Sequence, residues 1–533
     1  MTGWTRRSLL QSAVMAPAAL AQAYVPRPEP EKPPRLLLFV DWFHVKKGQL
    51  KATLDPARVT EEGKKLLEMY RRDFNLPFDQ SGHGFRREDL AHGVRITPEA
   101  ASKSEPWIVA DKPWEEGIRV NTVLRDGDRY RCWYIASLPK RSANLTIADG
   151  RGMELSGSAL AYAESRDGLA WTKPVAGKFS FNGSKENNLV SAKFNGGCIF
   201  RDDHAPPAER YKSVHFDALP KETVAKDAAP RDRYGLYGLS SPDGLQWKLH
   251  DQVLVRYFSD TYNIVAWDAQ LGRYVGYFRG HHNGRSITRA ETEDFWKWPA
   301  PGVFLSSNPQ DNPADDLYYN GYTVYPDDPT LRLLFVSVYH RDQDTVDVRL
   351  ALSRDGREFQ WLSQQPIVPL GPAGRWDSGS VYAQPNLVRL QDGRLALPLT
   401  CHGRTHNAYW HSLFYGQKGD PWHNVWALWP DARLAGIEAA HYGEFTTNAA
   451  PFDGAQIQIN ARTGASGSIT CELRERGVPI EGFSFADSVV FNGDSVWTNL
   501  RWKGKTDLTG LKGKKLDLVF RLGDAKIFAC KFV

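Results

Sequence analysis

The sequence predicts an all-β fold: a five-bladed β-propeller followed by a C-terminal β-sandwich, with a short helical insertion near the N-terminus. Three observations predict it. A short Asp-Gly phrase ending in Trp recurs along the chain. Brief apolar strands come in groups of up to four between its copies. From about residue 436 the pattern changes to longer stretches that alternate in and out.

The recurring phrase reads Ser165-Arg166-Asp167-Gly168-Leu169-Ala170-Trp171, then Ser241-Pro242-Asp243-Gly244-Leu245-Gln246-Trp247. It returns as Ser353-Arg354-Asp355-Gly356 running on to Trp361, and a decayed copy is Thr292-Glu293-Asp294-Phe295-Trp296-Lys297-Trp298. Asp-Gly makes a tight turn and the Trp packs the strand that follows, so turn chemistry accounts for the phrase without catalysis. Each copy ends a longer unit. The first has strands near 121–124, 130–136 and 160–164. The second has 197–201, 211–216 and 234–239; the third 262–267, 274–278 and 286–291; the fourth 321–325, 333–339 and 346–352. A fifth runs through 381–390 and 395–401, with 425–429 as its candidate later strand. Short strands at regular spacing mark propeller blades. Leu36-Leu37-Leu38-Phe39-Val40 is a strand standing alone at the front, and it is expected to close the ring by joining the last blade, because closure removes exposed edges.

These units fix the expected domains. Residues 1–23 read as a signal peptide: Arg6-Arg7 precede an apolar run too short to span a bilayer, which ends at Ala21-Gln22-Ala23. The paired arginines favour the twin-arginine route, so the protein is expected to be exported to a periplasmic or extracellular site. Residues 24–34 form a Pro-rich linker and 35–435 the propeller. Residues 46–106 are an insertion with helical spacing at Leu66, Leu67, Met69 and Tyr70, and 436–533 are the sandwich. A net charge of +5 without a basic tract argues against nucleic acid, and no segment past the signal is apolar enough to cross a membrane. The five cysteines show no zinc-ligand spacing, and Cys471 and Cys530 are candidates for a bridge.

The blade pattern also predicts a site. In a propeller the innermost strand begins, and the second strand ends, at one face, so residues at those places ring the mouth of a central funnel. Before inner strands stand Trp114-Glu115, Asp260, Asp315-Asp316 and Trp376-Asp377. After second strands stand Arg279-Gly280-His281, His340-Arg341 and His402-Gly403-Arg404. Cleavage of a glycosidic bond ordinarily takes one carboxyl group as acid and a second as base or nucleophile. Glu115, Asp260 and Asp377 are the candidates for those roles. Trp114, Arg279, His281, His340, Arg341, Trp376, His402 and Arg404 are the candidates for gripping sugar rings, hydroxyls, a carboxylate or a sulfate. Turn-capping is the competing reading for the two aspartates, and a solvated charge pair with Glu116 for Glu115. No cofactor is expected; Asp315 and Asp316 are the place for a Ca²⁺ should one bind, although acidic loops are as a rule merely solvated.

The blade phrases, such as those ending at Trp171 and Trp247, resemble those of the five-bladed glycoside hydrolases of families 32, 43, 117 and 130. Family 32 also appends a C-terminal β-sandwich. Lys112-Pro113-Trp114-Glu115, Asp260-Thr261-Tyr262-Asn263, Arg375-Trp376-Asp377-Ser378-Gly379 and the tail 510–532 are similar to exported family-32-like bacterial proteins. The resemblance implies hydrolysis of a furanoside-type or related glycoside. Those families place an Asp, an Asp and a Glu on their first three blades. Here the order is Glu115, nothing clearer than Asp217, then Asp260, and the sucrose-cleaving Asn-Asp-Pro-Asn-Gly phrase is absent; Asp41 is the first-blade acid if the register moves by one. Three functions follow: a metal-independent glycoside hydrolase on a poly- or oligosaccharide, a polysaccharide lyase using His, Tyr and Arg on uronate sugars, and a non-catalytic carbohydrate-binding protein. Two mouth carboxyls some 5–10 Å apart would mark the first; a His–Tyr–Arg cluster without them would mark the second.

Overall fold

The Asp-Gly phrase folds as its chemistry requires. Asp167 Oδ1 accepts the backbone N–H groups of Leu169 and Ala170, Ser165 Oγ accepts that of Gly168, and Trp171 Nε1 donates to the Gly168 carbonyl. The copies at 241–247 and 353–358 repeat the Asp and Ser bonds, and the decayed copy keeps the closing bond, from Trp298 Nε1 to the Phe295 carbonyl. The turn glycines sit at φ +80°, +76° and +71°, where a side chain would be strained.

The turn also joins neighbouring sheets. The Gly244 carbonyl accepts Trp133 Nε1 at 2.7 Å, that of Gly168 accepts Trp426 Nε1 at 3.0 Å, and that of Gly356 accepts Arg289 at 2.9 Å, each donor lying on another sheet. One small motif thus closes its own loop and ties its sheet to the next.

The computed structural model describes residues 35–74, 84–139, 145–147, 157–307, 311–408, 414 and 421–533, so the expected signal peptide and linker lie outside the described residues. The described chain is all-β in architecture. Five successive antiparallel groups of strands follow the order read from the sequence. The first holds Gly117–Asp126, Arg129–Ser137, Ser158–Ser165 and Leu189–Ser191. The second holds Phe200–Arg201, Tyr211–Ala218, Tyr234–Ser241 and Lys248–Val255. The third holds Ile264–Asp268, Arg273–His281, Arg285–Thr292 and Gly302–Leu305. In the fourth, Asp315–Tyr319 and Tyr322–Tyr325 pair with Asp328–His340, which pairs with Thr345–Ser353. The fifth runs from Ser380–Ala383 through Leu395–His402 and His423–Trp429 to Ser102–Lys103.

Two sequence expectations change here. The front strand does not join the fifth group. Arg35–Leu38 pairs with Lys515–Phe532, Leu37 opposite Cys530. Its apolar run is unbroken because both faces are buried: Leu37 and Phe39 pack into the C-terminal core, Leu38 and Val40 into the core of the fourth and fifth groups. The outermost strand of the fifth group is instead Ser102–Lys103, from the stretch expected to be an insertion. Another part of that stretch, Arg95–Pro98, pairs with Ala435–Ala439. The helix is Glu61–Phe74, entered from Thr60, whose Oγ1 accepts the Gly63 N–H; Leu66 and Tyr70 on it are exposed.

The C-terminal region is a nine-stranded sheet built on two long partners, Ile457–Glu475 and Lys515–Phe532. All five cysteines are free and buried, so the expected Cys471–Cys530 bridge is not formed; Cys471 lies opposite Phe520 and Cys530 opposite Ile459. Trp502 is wholly buried and donates to the Cys471 carbonyl, while Trp497 is held by Asp431 and covered by Lys531.

Candidate functional site

The starts of the inner strands converge on a cavity of about 600 Å³. Every one of the five groups reaches it: Arg119 and Asn121 from the first, Asn195 and Gly196 entering the second, Asp260 and Tyr262 entering the third, Tyr318 and Tyr319 from the fourth, Tyr382 and Gln384 from the fifth. His406, Asn407 and Trp422 complete the wall. The aromatic side chains form a connected surface. Tyr262 and Tyr319 stack at 4.1 Å, Tyr318 and Tyr319 at 4.9 Å, and Tyr319 and Tyr382 lie 5.3 Å apart. Tyrosines lining one cavity offer flat apolar faces and hydroxyl tips together, the combination that suits a sugar ring.

Two polar assemblies flank Tyr318. On one side Asp260 accepts a 2.6 Å hydrogen bond from Arg279, whose guanidinium lies 5.0 Å from the Tyr318 ring centroid. On the other, the His406 ring packs edge-on against Tyr318 at 4.8 Å, and its Nδ1 is 2.6 Å from the Tyr382 hydroxyl. Burial is the main reason that the His406 pKa falls to about 4, with Arg285 adding to it, so the ring is neutral at pH 7. Behind it, Asp344 accepts from the Tyr339 hydroxyl and from both nitrogens of Asn407. Burial pushes the Asp344 carboxyl up, but its hydrogen bonds, from Thr405, Asn407 and Tyr339, outweigh it and hold the group below its usual range.

Of the residues singled out from sequence, Asp260 is the one on this wall, with Arg279 held against it. Glu115 is corrected: it is buried, accepts from Tyr134 at 2.6 Å and Lys173 at 2.7 Å, and takes backbone N–H bonds from Asp111 and Lys112. Its oxygens are spent on holding the loop before the first strand. Asp377 is corrected likewise, being buried against Lys103 at 2.6 Å, where it secures the outermost strand of the fifth group. Asp41 pairs with Arg354 at 2.7 Å beside the front strand and belongs to none of the five groups.

The expected gripping residues mostly stand behind or beside the wall. Trp114 donates to Asn188, and Trp376 packs on His423. His402 stands 4.9 Å from Trp422 and accepts the Arg404 N–H, with the Arg404 carbonyl bonded by Ser380. His281 is exposed at a strand end. His340 is clasped between Asp315 at 2.6 Å and Asp347 at 3.2 Å. Arg341 donates to the Pro313 and Ala314 carbonyls. Asp315 and Asp316, the place considered for Ca²⁺, are engaged by cations: Asp315 by His340 and Arg349, Asp316 by Arg285 at 2.6 Å. Among the described residues no group of three or more His, Cys, Asp or Glu is placed to hold a metal.

Sequence reasoning missed Arg119, Tyr318, Tyr319, Tyr382, His406 and Trp422. Tyr318 and Tyr319 lie two to three residues beyond the Asp-Asp pair that was noticed, and His406 four beyond His402. The signal was position along the right strands, read a few residues short of where the chain turns into the cavity.

No family model matches the sequence, and no curated protein matches it. Solved structures do. The chain is similar to one described as a glycoside hydrolase, at 13% identity over 70% of this chain and 96% of the other, TM-score 0.40. It is similar to a fructofuranosidase from Schwanniomyces occidentalis, at 10% identity over 82% and 97%, TM-score 0.35. It is also similar to a family-43 arabinoxylan arabinofuranohydrolase from Bacillus subtilis, at 12% identity over 79% and 96%, TM-score 0.34.

Proposed function

We propose that the five strand groups are the blades of a five-bladed propeller lying between 102 and 429, that 436–533 form a sandwich with the help of Arg35–Leu38 and Arg95–Pro98, and that the chain is an exported enzyme cleaving a glycosidic bond in the tyrosine-walled cavity. The observation that carries this reading is the wall itself: a connected aromatic surface, contributed by several blades, with one carboxylate and one neutral histidine set on either side of Tyr318. In hydrolysis neutral His406, oriented by Tyr382, takes a proton from the attacking water and passes it to the leaving oxygen, while the Asp260 carboxylate, held by Arg279, stabilises the positive charge that develops on the sugar ring. A second reading is favoured by the Tyr382–His406 pair, since a phenol bound to a neutral imidazole is also a base for β-elimination of a uronate.

The test is reducing-end release, together with ultraviolet absorbance of an unsaturated product, across plant and algal polysaccharides. Wild type is run beside Asp260→Asn, His406→Ala and Tyr382→Phe. Release without absorbance, lost in Asp260→Asn, supports the hydrolase. Absorbance rising with release, and lost in Tyr382→Phe and His406→Ala, supports the lyase. Binding without release from any substrate leaves a carbohydrate-binding protein, and no binding at all sinks the reading. Export is tested separately, by following the chain's fractionation with Arg6 and Arg7 replaced by Lys.

A further inference from the structure

The cavity's charges do not cancel. Asp260 is matched by Arg279 at 2.6 Å, and Arg285, which also lies against Tyr318, is matched by Asp316 at 2.6 Å. His406 is neutral. Arg119 is different. It stands near the start of Gly117–Asp126, is exposed, and lines the cavity. Among the described residues its guanidinium meets no carboxylate and no carbonyl; its contact is the face of Trp422, with 5.7 Å between guanidinium carbon and ring centroid. Its neighbours along the strand are occupied in building the blade: the Val120 N–H donates to Asn424, and Asn121 Nδ2 to the Gly197 carbonyl.

A guanidinium left without a counter-ion in a walled cavity is a site for an oxyanion. Its five donors form a planar fork that matches a carboxylate or sulfate two bonds at a time, and a flat aromatic face beneath it limits the orientations it must give up on binding. Aromatic faces in the wall weaken the competition from water and lengthen the reach of the charge. A ligand satisfying the whole surface therefore carries ring faces for the tyrosines and one oxyanion for Arg119. We propose that the cavity takes an acidic glycan, and that Arg119 grips its carboxylate or sulfate group. The proposal rests on the carbohydrate reading above and adds the substrate's charge to it.

The experiment is calorimetric binding of three oligosaccharides to the full chain: tetragalacturonate, its methyl ester, and a sulfated carrageenan tetrasaccharide. Wild type is compared with Arg119→Lys and Arg119→Met, and thermal melts check that the variants fold. An acidic sugar is expected to bind, with Arg119→Met weakening it about 10- to 100-fold and Arg119→Lys less, while any binding of the ester is unchanged. Preference between the uronate and the sulfated arm tells which oxyanion is read. Equal binding of ester and acid, or acid binding unmoved in Arg119→Met, overturns the proposal and leaves the carbohydrate reading standing. Binding of no glycan, acidic or neutral, removes both.

Discussion

The same inner strands end in two cavities, and the two ends are built differently. At one end lie Arg119, Asp260, the tyrosines and His406. At the other a cavity of about 540 Å³ is lined by Leu124, Ile199, Val265, Val324 and Leu387 among others. That second end has charges too: Arg389 is bonded to Asp327 and Asp431. Its Arg125 lies over the Tyr130 ring. Each end thus sets an arginine over an aromatic ring, but the first adds a carboxylate and a neutral histidine beside its tyrosines, whereas the second sets its arginines among aliphatic side chains. A shared strand sets where residues stand, and the residue types at its two ends give each end its own chemical character.

The largest effects should separate these ends. Asp260→Asn or His406→Ala should lower kcat of the folded protein by about 10²- to 10⁴-fold, and Asp260→Asn should also lower the melting temperature, because it leaves the buried Arg279 without its partner. Asp327→Asn at the other end should leave kcat within about twofold, a surface-charge change of the ordinary kind. Loss of turnover in Asp327→Asn would break the comparison. Glu115→Gln and Asp377→Asn should behave in a third way. Each removes one partner of a buried ion pair, which costs about 3–5 kcal/mol of stability and should appear as a lower denaturation midpoint with kcat retained in the folded fraction.

How much of this was legible follows from what the sequence encodes locally. The strands of the five groups were readable because Asp-Gly turns and Trp recur at fixed offsets, and such local chemistry survives whatever packs around it. The front strand 35–40 was visible as a strand but not in its pairing, since an apolar run buried on both faces says nothing of which neighbour it meets. Ser102–Lys103 carried no pattern at all; a two-residue strand is defined only by its partner. For the candidate site, sequence offered Asp260, which lines the tyrosine-walled cavity, and Arg279, which is held against it. It also offered Glu115 and Asp377, because an acid before a strand looks the same whether it faces the cavity or a lysine. Lys103 lies 274 positions from Asp377 in the chain, and no local reading brings them together.

The turns between sheets give a finer version of the same contrast. Gly168, Gly244 and Gly393 all have positive φ, but a Cβ on Gly244 would stand 2.5 Å from Trp133 of the first sheet, whereas one on Gly393 meets nothing within 4 Å. Gly244→Ala should therefore cost the strain of a left-handed alanine plus the displacement of Trp133, together about 2–4 kcal/mol, and Gly393→Ala about 1 kcal/mol. Chemical denaturation would show equal losses if the turn served only its own loop.

Two histidines are shifted in opposite directions, and their effects appear only as pH changes. In His340 the Asp347 hydrogen bond leads in raising the pKa above its ordinary 6.5, opposed by burial and helped by Asp315. The folded state holds that proton more tightly than the unfolded chain. Its stabilisation is fully present below about pH 6.5 and is lost as pH rises through the folded value. His406 runs the other way: burial brings it to about 4, so its neutral form is favoured by folding, and that stabilisation is present above its ordinary 6.5 and lost as pH falls toward 4. Melting temperature against pH should flatten on the alkaline side in His340→Gln and on the acid side in His406→Gln. If His406 is the base, the acid limb of kcat should fall near pH 4 in wild type. A limb near 6.5 would mean that the base is a histidine with an ordinary environment, and the cavity's buried imidazole would then have to be given a purely structural part.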